Sequence, residues 1–425
     1  MADVWLDLVI SIITSGPLML AIIVWLGHIF KGSSFSEQIS GAAKAAMGVL
    51  ALGAGAGMLV TVLDPFQTML RTGLGISGYA AGSWLIWPIA LSLPKVAVIF
   101  NFVLIGAFLV NLLLARITPF KYVFLAPNQM FWEVTALTVP LVYYNVEPVL
   151  AIVIGSLWGG AYYVYSCWVT HGTMKKLTGG ENITVGHMGA TGYALAGLVS
   201  RVFKGSKKAE DVKFPKGFEW MKDVNLTTSL VMFVALVITI LLVPPSVATA
   251  AGVSGNAIIW TVISGLTFGA GMIVTITGVK LLIAEVLASF EGIATKVIPG
   301  ATPGLDCPVT FPYGEIALML GFVSAVLVGT ATSFITLSMG WPFILPPVME
   351  YFFMGGTAGI FGNYEGGWKG AILGGALNGV LFIILPTLSA AFTSLLITQA
   401  VTHLDPDACL NSILAFLVLG LIFPK

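Results

Sequence analysis

Long apolar stretches recur from one end of this chain to the other, and nothing else constrains it as strongly. They include Leu8–Leu26, Met47–Leu63, Val96–Ala115, Val149–Cys167 and Leu226–Val243, with a shorter segment at Ile413–Phe423. A helix needs about 20 apolar residues to cross the hydrocarbon core. Backbone in lipid must also satisfy its own hydrogen bonds, which restricts spanning segments to helices and closed barrels. Charged residues make up 9% of the 425 positions and hydrophobic residues 57%, against about 25% charged in an ordinary soluble domain. The pattern predicts an all-α polytopic membrane protein with about eleven transmembrane helices and no room for a soluble catalytic or nucleotide-binding domain.

What the composition excludes is equally plain. A net charge of zero leaves no electrostatic footprint for nucleic acid. Cys167, Cys307 and Cys409 stand in no metal or disulfide spacing, and His28, His171, His187 and His403 form no ligand motif. They read as buried thiols and isolated imidazoles, so neither a metal nor a cofactor is expected.

Charge placement sets the expected topology. Seven of the nineteen basic residues lie between Arg201 and Lys222: Arg201, Lys204, Lys207, Lys208, Lys213, Lys216 and Lys222. By the positive-inside rule this mid-chain loop is cytoplasmic. Lys31, Lys44, Arg116, Lys121, Lys175 and Lys176 fit the same face, whereas the acidic segments Asn145–Glu147 and Asp405–Asp407 fit the outside. The loop at 201–225 divides the chain into halves at 1–200 and 226–425, with five crossings before it and six after.

Those halves share wording. GAGMLVTV at Gly55–Val62 returns as GAGMIVTI at Gly269–Ile276, an offset of 214 residues. Ala151–Gly159 likewise resembles Ala371–Gly379, at an offset of 220. The first GAGM helix leaves the cytoplasmic side after Lys44 and the second ends there before Lys280, so the copies run in opposite directions. An inverted-topology repeat is a transporter architecture, with substrate held at mid-membrane between the repeats. The cluster Gly53, Gly55, Gly57 has two uses open to it: close helix–helix approach, or a helix opened so that its backbone faces a ligand.

Ionisable residues within apolar surroundings are the sharper functional signal. Glu133 sits in Pro127-Asn-Gln-Met-Phe-Trp-Glu133, beside Asn128 and Gln129. His187 opens Gly189–Val199, a stretch too short to span and read as a re-entrant hairpin. Val279–Ile298, with Glu285 and Glu291, reads as an amphipathic helix along the cytoplasmic surface. Asp306 lies among prolines and glycines that forbid regular helix. An Asp–His pair beside a sugar hydroxyl can accept its proton, making Asp306 and His187 the candidate proton acceptors. No phosphate-binding loop accompanies them, so any phosphate comes from a partner. The alternative is an ion-coupled secondary transporter of a small polar solute, using Asp306, Glu133 and His187 as coupling groups.

At these residues the chain resembles the ascorbate/galactitol family of phosphotransferase-system (PTS) permeases, the IIC component, and its ascorbate branch in particular. The likeness rests on Gly41–Leu59, on Thr184-Val-Gly-His187, on Gly278–Cys307 and on Ile360-Phe-Gly-Asn-Tyr-Glu-Gly-Gly-Trp-Lys369. The resemblance implies uptake of a sugar, sugar acid or polyol coupled to its phosphorylation by a separate phosphocysteine-bearing IIB subunit, itself supplied by a IIA subunit. It further implies a homodimer embedded in lipid in the bacterial inner (cytoplasmic) membrane, with no catalysis by the permease alone. The substrate contacts it implies fall on Gly55, Ala56, Ser83, Trp84, Asn128, Trp132, His187, Met188 and Asp306. Glu133 is added as a buried acid on the same segment as Asn128.

Overall fold

The computed structural model describes residues 15–73, 78–212 and 224–423. Lys213, Lys216 and Lys222 of the basic loop lie outside the described residues, as do the side chains of Ala56, Trp84 and Glu291. Before the loop run α1 Gly16–Lys31, α2 Phe35–Gly73, α3 Ser83–Leu91, α4 Pro94–Ile117, α5 Pro127–Tyr143, α6 Pro148–Leu177 and α7 Ala190–Ser200. After it come α8 Val224–Leu242, α9 Pro245–Ala250, α10 Ala257–Lys296, α11 Glu315–Ser338, α12 Val348–Thr393 and α13 Pro406–Ile422. Proline opens α4, α5, α6 and α13, where its fixed φ suits the first turn and its missing N–H has no partner to lose.

Among the described residues, six helices are long and apolar enough to cross a membrane, and Pro17–Lys31, Ser229–Leu242 and Pro406–Ile422 are shorter apolar ones. The chain is an all-α, multi-pass membrane protein. Fewer long helices stand out than the eleven or so crossings counted along the sequence, partly because α12 is two helices in one. At Gly367 the backbone turns to φ 62°, ψ −160°. A Cβ built on Gly362 would lie 2.1 Å from the Gly370 carbonyl oxygen, and one on Gly374 would lie 2.6 Å from that of Ala358. In a straight helix Gly362 and Gly370 would be separated by about 12 Å of rise. Residues 348–366 and 368–393 therefore fold back on each other as an antiparallel hairpin.

The repeated GAGM phrase lies where α2 and α10 cross. A Cβ on Gly55 would fall 2.4 Å from both the amide nitrogen and Oγ1 of Thr275 and 2.8 Å from the Gly271 oxygen. A Cβ on Gly48 would meet Leu282 and Gly278 in the same way. Low numbers on α2 meet high numbers on α10, so the helices run antiparallel. Glycine here permits close approach, and α2 stays helical through the cluster. Val279–Ile298 is not a separate surface helix: it continues α10 to Lys296, and Glu285 pairs with Lys44 of α2 at 3.5 Å. The apolar periodicity of Ala257–Ile276 runs into it unbroken, and α2 gives it a partner along its length.

Among the described residues, five short strands interrupt the helices: β1 Ala80–Ala81, β2 Tyr122–Phe124, β3 Thr184–Val185, β4 Thr302–Leu305 and β5 Val401–Thr402. They form two small parallel sheets. In one, β4 lies between β2 and β3; in the other, β1 pairs with β5 while Tyr79 bridges to Ile344 on its other side. Irregular backbone buried in a membrane protein needs such pairing. Leu125 N–H donates to the Gly304 carbonyl (2.7 Å) and Gly186 N–H to that of Leu305 (2.8 Å). Gly304 has no room for a side chain, since a Cβ there would lie 2.2 Å from Cys167 Sγ.

Helix contacts concentrate in two groups. One comprises α1, α2, α8 and α10; the other comprises α4 to α7 with α11, α12 and α13. Each group draws helices from both 1–200 and 226–425, so packing cuts across that division of the sequence. The described part of the basic loop is strapped to the α12 hairpin turn. Lys208 Nζ donates to the carbonyls of Asn363 (3.0 Å) and Tyr364, and the Ala209 N–H donates to Asn363 Oδ1 (2.8 Å). Partial burial lowers the Lys208 pKa from its ordinary value, against the pull of Glu210, Glu365 and Asp211. Lys208→Met is expected to cost about 1–2 kcal/mol, read as a lower Tm in detergent, whereas Lys204→Gln and Lys207→Gln, both exposed, should leave Tm unchanged.

Candidate functional site

Parallel pairing explains why the site residues meet. Parallel strands end at the same edge, so whatever follows each strand gathers there. Val185 of β3 is in register with Leu305 of β4, which brings His187 and Asp306 together with Nε2 to Oδ1 at 3.4 Å. β2 leads into Asn128 at the start of α5, and Asn128 Nδ2 donates to Asp306 Oδ2 (2.9 Å). The second sheet repeats the arrangement. Ala81 is in register with Thr402, and Ser83 and Asp405 follow them, the Ser83 hydroxyl donating to Asp405 Oδ2.

These groups line one cavity of about 290 Å³. Ser83, Asn128, Trp132, His187 and Asp306 are the expected contacts that it brings together. Gln129, Cys307, Glu350, Phe353, Met354 and Asp405 join them without having been expected. Glu350, Phe353 and Met354 lie at or in the π-helical stretch Tyr351–Gly355 of α12, a local widening often found at functional sites.

His187 is held in one orientation. Its backbone N–H donates to Ser166 Oγ (2.9 Å), and its carbonyl accepts from Ser166 Oγ (2.8 Å) and from the Tyr162 hydroxyl (3.0 Å). Its Nδ1 accepts from the Gly189 N–H at 2.8 Å. The neutral ring therefore carries its proton on Nε2, facing Asp306. Asp306 Oδ1 also accepts from the Cys307 N–H (2.7 Å). His187 Nε2, an Asp306 oxygen and Cys307 Sγ lie within 4.8 Å of one another. Metal binding at Nε2 would need that nitrogen's lone pair, which the Gly189 contact leaves on Nδ1 instead.

Three expected contacts are elsewhere. Glu133 is fully buried and turned away from the cavity, its carboxylate accepting from Asn411 Nδ2 of α13 at 2.9 and 3.1 Å; five residues beyond Asn128 it faces the opposite side of α5. Gly55 serves the α2–α10 crossing. Met188 packs its side chain into the core and uses its backbone, the N–H donating to Gln129 Oε1 (3.1 Å) and the carbonyl accepting from the Asp407 N–H (2.9 Å). Asp405 and Asp407 are not an exposed outer segment but are 5% and 2% exposed. Asp405 lines the cavity, and Asp407 accepts from Tyr162 Oη (2.8 Å) behind it. One signal pointed to Asp405: carrying the repeat offsets of 214 and 220 from His187 lands on 401 to 407.

Chemically, the cavity offers carboxylates able to accept hydroxyl protons, an imidazole N–H that faces Asp306, amides able to bind hydroxyls, and the aromatic side chains of Trp132 and Phe353. Two comparisons agree with a sugar site. The chain is similar to the ascorbate-specific PTS system EIIC component of Mycoplasma pneumoniae, 26% identical over 459 aligned positions that cover 93% of this chain and 68% of that one. The sequence model of EIIC-GAT, the PTS system sugar-specific permease component, matches residues 11–407. With that match running through both sheets and every cavity-lining residue, the chain belongs to the EIIC-GAT family of PTS sugar-specific permeases.

Proposed function

We propose that this IIC permease binds an ascorbate-like sugar, sugar acid or polyol in the cavity between the two sheets and releases it inside as a phosphate ester. A phosphorylated IIB subunit, recharged by IIA, is the donor. Ser83, Asn128, Trp132, His187 and Asp306 hold the substrate, and Asp306 accepts the proton of the hydroxyl that attacks the phosphoryl group; His187, expected to share that role, directs its Nε2–H at Asp306 and positions it instead. The observation that carries this reading is the meeting of His187 and Asp306 at the open edge of one parallel sheet, inside a sugar-sized cavity.

The two halves are read as inverted repeats totalling about eleven crossings. Support comes from the antiparallel α2–α10 crossing and from the sheets. Each sheet has a central strand from one half flanked by segments of the other. From β1 to β4 the offset is 222 (302 − 80), and from β2 to Ile344 it is also 222 (344 − 122). From β3 to β5 it is 217 (401 − 184). We further infer a homodimer in the bacterial inner membrane, with the basic loop on the cytoplasmic side. Since Lys208 is engaged internally and Arg201 pairs with Glu365, Lys204 and Lys207 are, among the described residues of the loop, the ones left to steer IIB. Neutralising both should raise the KM for phospho-IIB several-fold at low salt; an unchanged KM would remove them from docking.

The decisive test is mass spectrometry of the solute accumulated by cells that express this chain with its own soluble carriers. A phosphate ester is expected. Accumulation of unmodified solute would replace group translocation by ion-coupled transport.

A further inference from the structure

The charge balance of the cavity narrows what it can hold. Three of its described lining residues bear carboxyl groups, Asp306, Glu350 and Asp405, and none is Lys or Arg. Its one imidazole already directs Nε2 at Asp306. The backbone amides around His187 and Asp306 that an anion would use are occupied as well. Cys307 N–H donates to Asp306, Gly189 N–H to His187 Nδ1 and Met188 N–H to Gln129.

A sugar-acid anion entering this space would give up its hydration and find neither a cation nor those amides, an arrangement that strongly disfavours a buried charge. Like-charged carboxylates nearby would oppose it further. Protonating one of the three would relieve some repulsion without supplying a positive partner. An uncharged polyhydroxylated molecule meets the reverse situation. Its hydroxyls donate, the carboxylates accept, and such charge-assisted bonds are about twice as strong as neutral ones.

Resting on the permease reading above, we propose that the cavity selects an uncharged sugar or alditol over a sugar-acid anion. Asp405 and Glu350 are the specificity-determining hydroxyl acceptors beside Asp306. Asp405 is set by Ser83, which donates to its Oδ2, and Glu350 by the turn that leads into the π-helical stretch.

The test is calorimetric binding to the purified full-length protein in detergent at pH 7, with galactitol, xylitol and D-fructose set against L-ascorbate and L-gulonate. At least one neutral compound is expected to bind at least about tenfold more tightly than either anion. Glu350→Gln and Asp405→Asn should each weaken that neutral ligand about tenfold, the loss of one hydrogen bond to a charged group, and should tighten L-ascorbate. Tighter binding of an anion than of every neutral compound overturns the proposal, and so does absence of binding by all the neutral ones. The wild-type comparison decides this even if a variant fails to fold. Transport assays separate this proposal from the reading beneath it. Phosphorylated ascorbate as the preferred product sinks the selection and keeps the permease. Unmodified neutral solute keeps the selection and removes group translocation.

Discussion

Asp306→Asn is expected to lower substrate phosphorylation by about 10²- to 10⁴-fold, the usual contribution of a positioned proton acceptor, while the protein stays folded. Asparagine keeps the shape of the side chain, and its one carbonyl oxygen can still accept from the Cys307 N–H that Asp306 holds at 2.7 Å. The amide it introduces opposes Asn128 Nδ2, now 2.9 Å from Asp306 Oδ2, but Asn128 can rotate its own amide and present oxygen instead. What cannot be restored is the carboxylate facing His187 Nε2. The rate of phosphate-ester formation with phospho-IIB, measured beside the Tm, separates chemistry from folding. A wild-type rate in the folded variant would remove Asp306 from the proton-accepting role.

The second large effect concerns stability. Gly55→Leu should disrupt the crossing of α2 and α10. The first added carbon would already lie 2.4 Å from the Thr275 amide nitrogen and 2.8 Å from the Gly271 oxygen, and both are backbone atoms of a helix that cannot yield locally. Overpacking of a tight contact costs about 1–3 kcal/mol and sometimes more, and a full leucine belongs at or above the upper end. Gly53 and Gly57 provide the control, because a Cβ at either has nothing within 4 Å. Gly53→Ala and Gly57→Ala should be neutral or should stabilise the helix by up to about 1 kcal/mol. Melting curves in detergent decide the matter: equal sensitivity at all three positions would mean that the glycines act by flexibility rather than by close approach.

Much of the site was legible because it breaks the chain's own rule. His187, Asp306 and Asn128 are polar residues in apolar or helix-forbidding surroundings, and such residues are retained only for a purpose. Glu133 met the same criterion and faces Asn411 instead, because the criterion registers burial and not direction. Asp405 was read as part of an exterior acidic segment, since two aspartates beside a proline look the same in a loop and at a buried helix start. The strands that align all of these residues are two to four residues long, too short to leave a periodic pattern. Likewise, the reversal at Gly367 is one glycine among 49.

The sequence by itself determined the class of protein and singled out a glycine phrase that its two halves share. Apolar length and charge placement are properties that a membrane reads residue by residue, and a repeated phrase survives without coordinates. The tertiary structure alone decided which carboxylates line the cavity and that Gly55, not Gly53 or Gly57, is a point of close approach. Register between strands about 120 residues apart aligns His187 with Asp306, and register between strands about 320 apart aligns Ser83 with Asp405, and no local pattern encodes a pairing made at those distances.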